Sequence, residues 1–370
     1  TKVESGQYSV GYDNEETAWK AMMDDLDYSI GVLTALMNTD PSFNELTTED
    51  RIYQGDYKKW IKFANSLKLR IAIRISNAVP EYAQEKAEEA VSHPYGVMDS
   101  NDCDAYDNIT ATNYKNGLAS VNSWGEVRAN ACIVSFMNGY QDPRCEAYFT
   151  KSSVSGDYDY IGVRSGIQGI TTSMFSTYST VKVETKTPML IFNAAEVAFL
   201  RAEGALKKWN MGGTAEEFYK EGIRLSFNEH GISGADAYIA NNTNVPADYI
   251  CPLNAAYNYT NPCKLTVAWD KTGANADEDN LQRILTQKMI ANFPIGNETW
   301  ADFRRTGYPA VFPAHDNLST QGVTKERQQR RLRFSEDEYN SNGANVTEAC
   351  TFLSNGQDTD ATDLWWAKKD

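Results

Sequence analysis

Two amphipathic segments joined by a glycine-rich turn, between Pro188 and His230, constrain the fold of this 370-residue chain more than any other feature. Ile191, Ala195, Ala198, Phe199, Ala202 and Leu206 recur at spacings of three and four, which predicts a helix from about Met189 to Trp209 with one apolar face. Asn210, Gly212 and Gly213 stop that helix, and Thr214 is placed to cap a second. Glu216 and Glu217 then fall in a first turn, where the helix dipole favours negative charge. The second helix runs to Phe227 or Glu229 and turns Phe218, Ile223, Leu225 and Phe227 inward. Two such helices form an antiparallel hairpin, the unit from which tetratricopeptide-like arrays are stacked.

The same periodicity predicts helices over 14–37, 55–79, 81–92, 127–138 and 280–293, with a short one from Asn297 through Arg304. Between them the texture changes. Residues 95–187 and 231–277 are rich in Gly, Asn, Ser, Thr, Asp and Tyr, and the tail beyond Phe312 reads as loop with brief helical turns. The expected fold class is all-α: tetratricopeptide-like helix pairs forming a curved scaffold, with long irregular, loop-rich excursions. The expected division is a helical part at 1–94, a loop-rich subdomain at 95–187, and a second helical part at 188–370 interrupted by 231–277. Irregular stretches of that length are more than connectors, because binding residues tend to sit on loops that a rigid scaffold holds.

Charge and motif content exclude several function classes. Thirty-five basic against fifty acidic residues leave a net charge of −15, and the short basic run Arg327 to Arg333 reads as a solvated segment with salt bridges. Nucleic acid, whose phosphates demand clustered Lys and Arg, is not an expected partner. The three His residues, at 93, 230 and 315, are isolated and lack metal-ligand spacing. No GxSxG elbow, phosphate-binding GxxxxGK[ST] or dinucleotide GxGxxG motif is present. No cofactor or metal is therefore expected, and no enzyme activity. A glycoside hydrolase would need only two facing carboxylates, and Asp102 with Asp104 or Asp157 with Asp159 are the pairs to inspect. Glu196 and Glu203 share one face of the central helix, where Arg201 and Lys207 are the expected ion-pair partners. Of six Cys, Cys132 reads as a buried thiol, while a bridge between Cys251 and Cys263 would staple a loop rich in Pro and Tyr; the spacing leaves that pairing open.

The central AAEVAFLRAEGAL and GGTAEEFYKEGIRLSF segments resemble the SusD/RagB family of outer-membrane nutrient-binding lipoproteins, in its SusD-like branch. GDYKKWIKFANSLKLRIAIRIS at 55–76, ILTQKMIANFPIGNETWADFRRTGYP at 284–309, and RRLRFSEDEYNSNGANVTEA with the closing LWWAKKD agree in the same order. The resemblance implies a non-catalytic scaffold that captures oligosaccharides, or in some branches peptides, at the surface of the outer membrane. It implies a SusC-like TonB-dependent transporter as partner, with the lipoprotein as its lid. It further implies that a signal peptide, a lipid-bearing Cys and a further N-terminal helical region precede Thr1, so that contact with the membrane is through an anchor outside this chain. From the residues alone, a helical array that binds another protein on its concave face is the competing reading.

Sugar rings present flat C–H faces that stack on Trp or Tyr, while short polar side chains satisfy their hydroxyls. Candidate ligand residues are therefore aromatics in the irregular stretches: Trp124 first, standing beside Asn122, Ser123 and Glu126, then Tyr114, Tyr158 and Tyr160. The Tyr257 to Tyr259 loop has the same texture. Each aromatic has a competing role, that of pinning a loop onto the scaffold. Trp19, Trp60, Trp209 and Trp300 lie on or at the ends of helices and read as packing residues.

Overall fold

The computed structural model describes residues 6 and 9–367. In chain order the elements are α1 (Glu15–Thr39), α2 (Tyr57–Ile75), α3 (Pro80–Ser92), β1 (Ala105–Asp107), α4 (Gly117–Ser123), α5 (Ala131–Tyr140), α6 (Cys145–Tyr148), β2 (Met189–Phe192), α7 (Ala194–Leu206), α8 (Ala215–Glu229), α9 (Ala235–Ile239), α10 (Ala276–Ala291), α11 (Gly296–Thr306) and α12 (Glu336–Cys350). The all-α class holds: β1 and β2 form a single short antiparallel ladder, with Ala105 opposite Phe192.

Local chemistry sets the helix ends. Asn14, Asp56 and Asn193 each accept a hydrogen bond from a backbone N–H in the first turn of α1, α2 and α7, at 2.9, 3.1 and 2.8 Å respectively. Thr214 and Glu217 close a reciprocal capping box on α8: the Glu217 N–H donates to Thr214 Oγ1 at 3.2 Å, and the Thr214 N–H donates to Glu217 Oε2 at 2.8 Å. Thr214→Ala is expected to lower stability by about 1 kcal/mol. Urea unfolding checks this, and an unchanged midpoint would show that the helix needs no cap there.

Three sequence expectations require correction. The central helix does not begin at Met189. Residues 189–192 pair as β2 with β1, and Asn193 starts the helix, so Ile191 lies on an exposed strand position and not on the greasy face. The helix expected over 127–138 starts only at Ala131, because Asn130 caps it by accepting from the Cys132 N–H at 2.8 Å. The tail is loop over most of its length but carries one full helix and not only brief turns: Ser335 caps α12, with Glu336, Asp337 and Glu338 in its first turn and a kink at Asn342. Asn and Ser within that stretch obscure its period, although the Ser-then-acid start is the signal that marks it.

Packing follows the hairpin logic. α7 and α8 pack closely, α2 packs on both α1 and α3, and α10 lies against α7 and α8. Phe199, Tyr219, Phe227, Ile223 and Ile284 are fully buried at the centre. Residues Ala194 to Leu200 are all buried, so α7 is covered all round and not along one stripe.

Covering a helix that carries Glu196 and Glu203 demands buried cations. Arg70 of α2 meets Glu196 with two parallel hydrogen bonds of 2.9 and 2.7 Å. Lys288 of α10 lies 3.4 Å from Glu196 and 2.9 Å from Asp302. Arg305 of α11 grips Glu203 at 2.5 and 2.7 Å and reaches Asp302 at 3.3 Å, while Arg74 pairs with Glu298 at 2.7 Å. Four cations face four anions across α2, α7, α10 and α11. Burial would raise the Asp302 carboxyl, but Lys288 and Arg305 outweigh it and hold the group down at about 2. Of the partners expected within α7 and its C-terminal end, Lys207 does approach Glu203 at 3.8 Å. Arg201 instead donates to the Met211 carbonyl and stacks on Phe218, so the main partners come from other helices.

The six Cys are all free thiols. Cys251 meets the Tyr178 hydroxyl at 3.4 Å and is not bridged to Cys263.

Candidate functional site

Beyond β1, main-chain hydrogen bonds outside regular strands tie the irregular stretches together. The Asn116 N–H donates to the Thr185 carbonyl at 2.9 Å, the Lys182 N–H to Tyr148 at 2.8 Å, and the Ser153 N–H to Thr177 at 2.9 Å. At their centre runs residues 160–165. The Val163 N–H donates to the Ala129 carbonyl at 2.9 Å and its carbonyl accepts from the Ala131 N–H at 3.0 Å. On the other side the Ser179 N–H reaches the Ile161 carbonyl at 3.0 Å. Gly162 is required by this squeeze, since a Cβ there would stand 2.7 Å from the Ala131 nitrogen. Residues of the later excursion close over the segment: Tyr249 donates its hydroxyl to the Gly162 carbonyl at 2.9 Å, and Tyr249 and Cys251 pack with Ile161, Ile167, Phe175 and Tyr178. The chain 245–247 passes so near α5 that a Cβ on Gly139 would lie 2.1 Å from the Ala247 nitrogen.

Two depressions flank residues 160–165. The first, of about 190 Å³, is lined by Asn138, Asp157, Tyr158, Tyr160, Asp248 and Pro252 among others. The second, of about 360 Å³, is lined by Gly125, Glu126, Arg128, Asn130, Arg164, Thr171 and Phe175 among others. Trp124 immediately precedes the second. It is the C-cap of α4, and its side chain is 67% exposed. α4 itself is fixed by Asn116, which accepts from the Leu118 N–H at 3.0 Å, and by Asn122, whose amide donates to the Val181 carbonyl at 3.1 Å.

The expected ligand residues do not converge on one point. Tyr158 and Tyr160 share the first depression, Tyr158 with 43% of its surface exposed and Tyr160 packed partly against the main core. Asn122 spends its amide on the loop backbone, and its buried Oδ1 has no protein partner. Tyr114, 62% exposed, lies under the Arg51 guanidinium, whose carbon is 5.4 Å from the ring centre, outside the lining of both depressions. Sequence reasoning passed over Arg128 and Arg164. Reading 127–138 as one helix hid Arg128, and recognising Asn130 as a cap would have returned it to a loop. No local signal marks Arg164.

The two acid pairs singled out in the sequence have members engaged elsewhere in the fold. Asp104 is half-buried, accepting from the Ala194 N–H at 2.6 Å and from the Asn101 amide at 2.9 Å, whereas Asp102 is turned to Ser100 and Lys59. Asp159 pairs with Lys151 at 2.6 Å. Asp248 shares a depression with Asp157 but accepts from the Asn261 N–H at 2.9 Å and lies 3.2 Å from Lys264. Among the described residues no His, Cys, Asp and Glu cluster is placed to hold a metal, and no helix is long and apolar enough to cross a membrane.

A family model described as SusD-like, SusD and RagB outer membrane lipoprotein, matches residues 1–367. The chain belongs to the SusD-like family. Solved SusD-like structures agree closely. One from Bacteroides thetaiotaomicron is 48% identical with a TM-score of 0.93, covering 99% of this chain and 75% of its own. A chitin-binding SusD homologue from Flavobacterium johnsoniae is 39% identical with a TM-score of 0.93, over 100% of this chain and 76% of its own. A SusD homologue from Bacteroides uniformis is 42% identical with a TM-score of 0.89, over 98% and 75%. No curated protein matches. This SusD-like chain therefore spans about three-quarters of the length of these relatives. SusD-like proteins have tetratricopeptide-like helical folds, bind rather than catalyse, and belong to the outer membrane as lipoproteins.

Proposed function

We propose that this SusD-like protein captures an oligosaccharide at the cell surface on the face formed by 95–187 and 231–277, and passes it unchanged to a SusC-like TonB-dependent transporter. The observation that carries the reading is Trp124. An indole left two-thirds exposed at the end of a short, doubly anchored helix, next to a depression, offers a flat apolar face on which a sugar ring can stack. Polar side chains of the neighbouring depression, Asn130, Thr171 and Glu126, are of the kind that satisfies sugar hydroxyls. The chitin-binding relative supports a glycan over a peptide. Tyr158, with Tyr160 behind it, offers a second stacking surface across residues 160–165.

Burying one sugar face on an indole is worth about 1–2 kcal/mol, by analogy with aromatic pair energies. Trp124→Ala is thus expected to weaken binding of chitohexaose, or of whichever glycan a panel selects, by about tenfold or more in calorimetry. Trp209, buried at the end of α7, serves as the contrast: Trp209→Ala should lower thermal stability. Unchanged affinity in a folded Trp124→Ala protein would move the site to Tyr158 and Tyr160. For the partner, co-purification of a large TonB-dependent barrel from outer membranes is the expected result, and recovery without any transporter would count against delivery.

A further inference from the structure

Arg128 and Arg164 line the depression beside Trp124, and neither has a carboxylate partner among the described residues. Arg144 and Arg305, the most deeply buried guanidiniums, each meet an acid, at 2.6 and 2.5 Å, whereas Arg283 and Arg304 reach only neutral acceptors, as Arg164 does, but lie outside this depression. Arg128 donates Nε to the Phe175 carbonyl at 2.7 Å and Nη1 to the Gly125 and Val127 carbonyls at 2.8 and 2.7 Å. Its Nη2 meets no acceptor among the described residues. Arg164 is buried to 8% exposure. Among the described residues its hydrogen bonds reach only carbonyls, those of Tyr257, Asn258 and Pro313 at 3.4, 3.3 and 3.2 Å, its guanidinium lies 4.8 Å from the Tyr259 ring centre, and its buried Nε has no partner. Burial lowers its pKa, and the nearby Tyr259, Tyr249 and Asp316 offset that desolvation only in part. Carbonyl dipoles position these two cations without neutralising them.

Resting on the glycan reading above, we propose that this depression receives an anionic substituent, a carboxylate or a sulfate, of an acidic sugar stacked near Trp124. An oxyanion accepts charge-assisted N–H donors, and Nη2 of Arg128, in a depression that also carries the charge of Arg164, supplies them without further ordering of either side chain. Two features oppose it and are outweighed. The net charge of −15 repels an approaching anion, but over more than about 8 Å physiological salt screens that repulsion. Glu126 lines the same depression, yet it is exposed and forms no ion pair with Arg128 among the described residues, so solvent attenuates its charge. Asp316, the other acid near Arg164, is engaged by His315 at 2.8 Å and by the Gln168 N–H at 3.0 Å.

Calorimetry with three probes of equal length tests the proposal: neutral chitotetraose, tetragalacturonate, and a carrageenan tetrasaccharide carrying sulfate alone. At low salt, wild-type protein should bind at least one acidic probe about tenfold more tightly than the neutral one, and that margin should shrink as NaCl is raised. The acidic probe that wins identifies carboxylate or sulfate as the group read. In Arg128→Gln the ratio of acidic to neutral affinity should collapse toward one, and in Glu126→Gln it should rise. Acidic probes that bind no better than chitotetraose to the wild type at any salt overturn the proposal while leaving the glycan reading intact. A ratio insensitive to both substitutions overturns it as well. Absence of binding by every glycan tried overturns both readings together.

Discussion

Arg305→Leu should lower the unfolding free energy by about 3–5 kcal/mol, enough to remove a large part of the stability of an ordinary domain. The guanidinium has no exposed surface and holds Glu203 with two hydrogen bonds and Asp302 with a third. Removing it strands two carboxylates in the core. Lys207 at 3.8 Å from Glu203 and Lys288 at 2.9 Å from Asp302 compensate only in part. The cost lies in the uncompensated acid and not in the lost pair, so the double variant Arg305→Leu, Glu203→Leu should recover most of the loss. Urea melts of the three proteins decide this. If the double variant is as unstable as the single, packing around Arg305 and not charge is what the site needs.

The second large effect depends on pH. Glu229, at the C-terminal end of α8, accepts from the Tyr106 hydroxyl through Oε1 and from the Asn193 amide through Oε2 at 3.2 Å. Burial, then the nearby negative charge of Asp104, push its carboxyl up to about 8 from an ordinary 4.5. The folded protein thus keeps a proton that the unfolded chain has released. Stability contributed by that proton is complete below pH 4.5 and is lost as pH rises from there through about 8. Glutamine reproduces the protonated acid, donating toward Tyr106 and accepting from Asn193. Glu229→Gln should therefore match the wild type near pH 4 and exceed it by about 2–4 kcal/mol at pH 8. His230 acts in the opposite sense: burial lowers it to about 4, so its contribution fades as pH falls below 6.5. Comparing variant with wild type at each pH isolates Glu229. An equal difference at pH 4 and pH 8 would mean that Glu229 is ionised in the fold.

How much of this was legible in the sequence follows from which forces are local. Apolar spacing and caps report on a helix from within it, and α1, α8 and the α7 to α8 turn lie where those signals put them. The start of α7 does not, because Met189 to Phe192 satisfies a helical period equally well and only its partner, 82 to 87 residues earlier, draws it into a ladder. Local spacing assigns Glu196 and Glu203 the ion-pair partners Arg201 and Lys207 for the same reason. Their partners Arg70, Lys288 and Arg305 are distant in sequence, and full burial becomes tolerable only once all are assembled. In the loop face, an exposed Trp124 is consistent with the role its polar neighbours suggest, whereas Tyr160 is shared between depression and core. Composition could mark the face as a whole. It could not say which aromatics stand on the same side of residues 160–165.

Gly139 and Gly162 have a consequence for anyone wishing to re-target this protein. At both positions the neighbouring surface is main chain, so there the shape of the face is set by backbone meeting backbone. Tyr158, Ile170, Met174 and Ile250 all project from that frame with substantial exposure. A combinatorial library confined to such positions would vary the chemistry of the proposed ligand face while leaving the two close backbone approaches intact, whereas the two glycines are the codons to leave fixed.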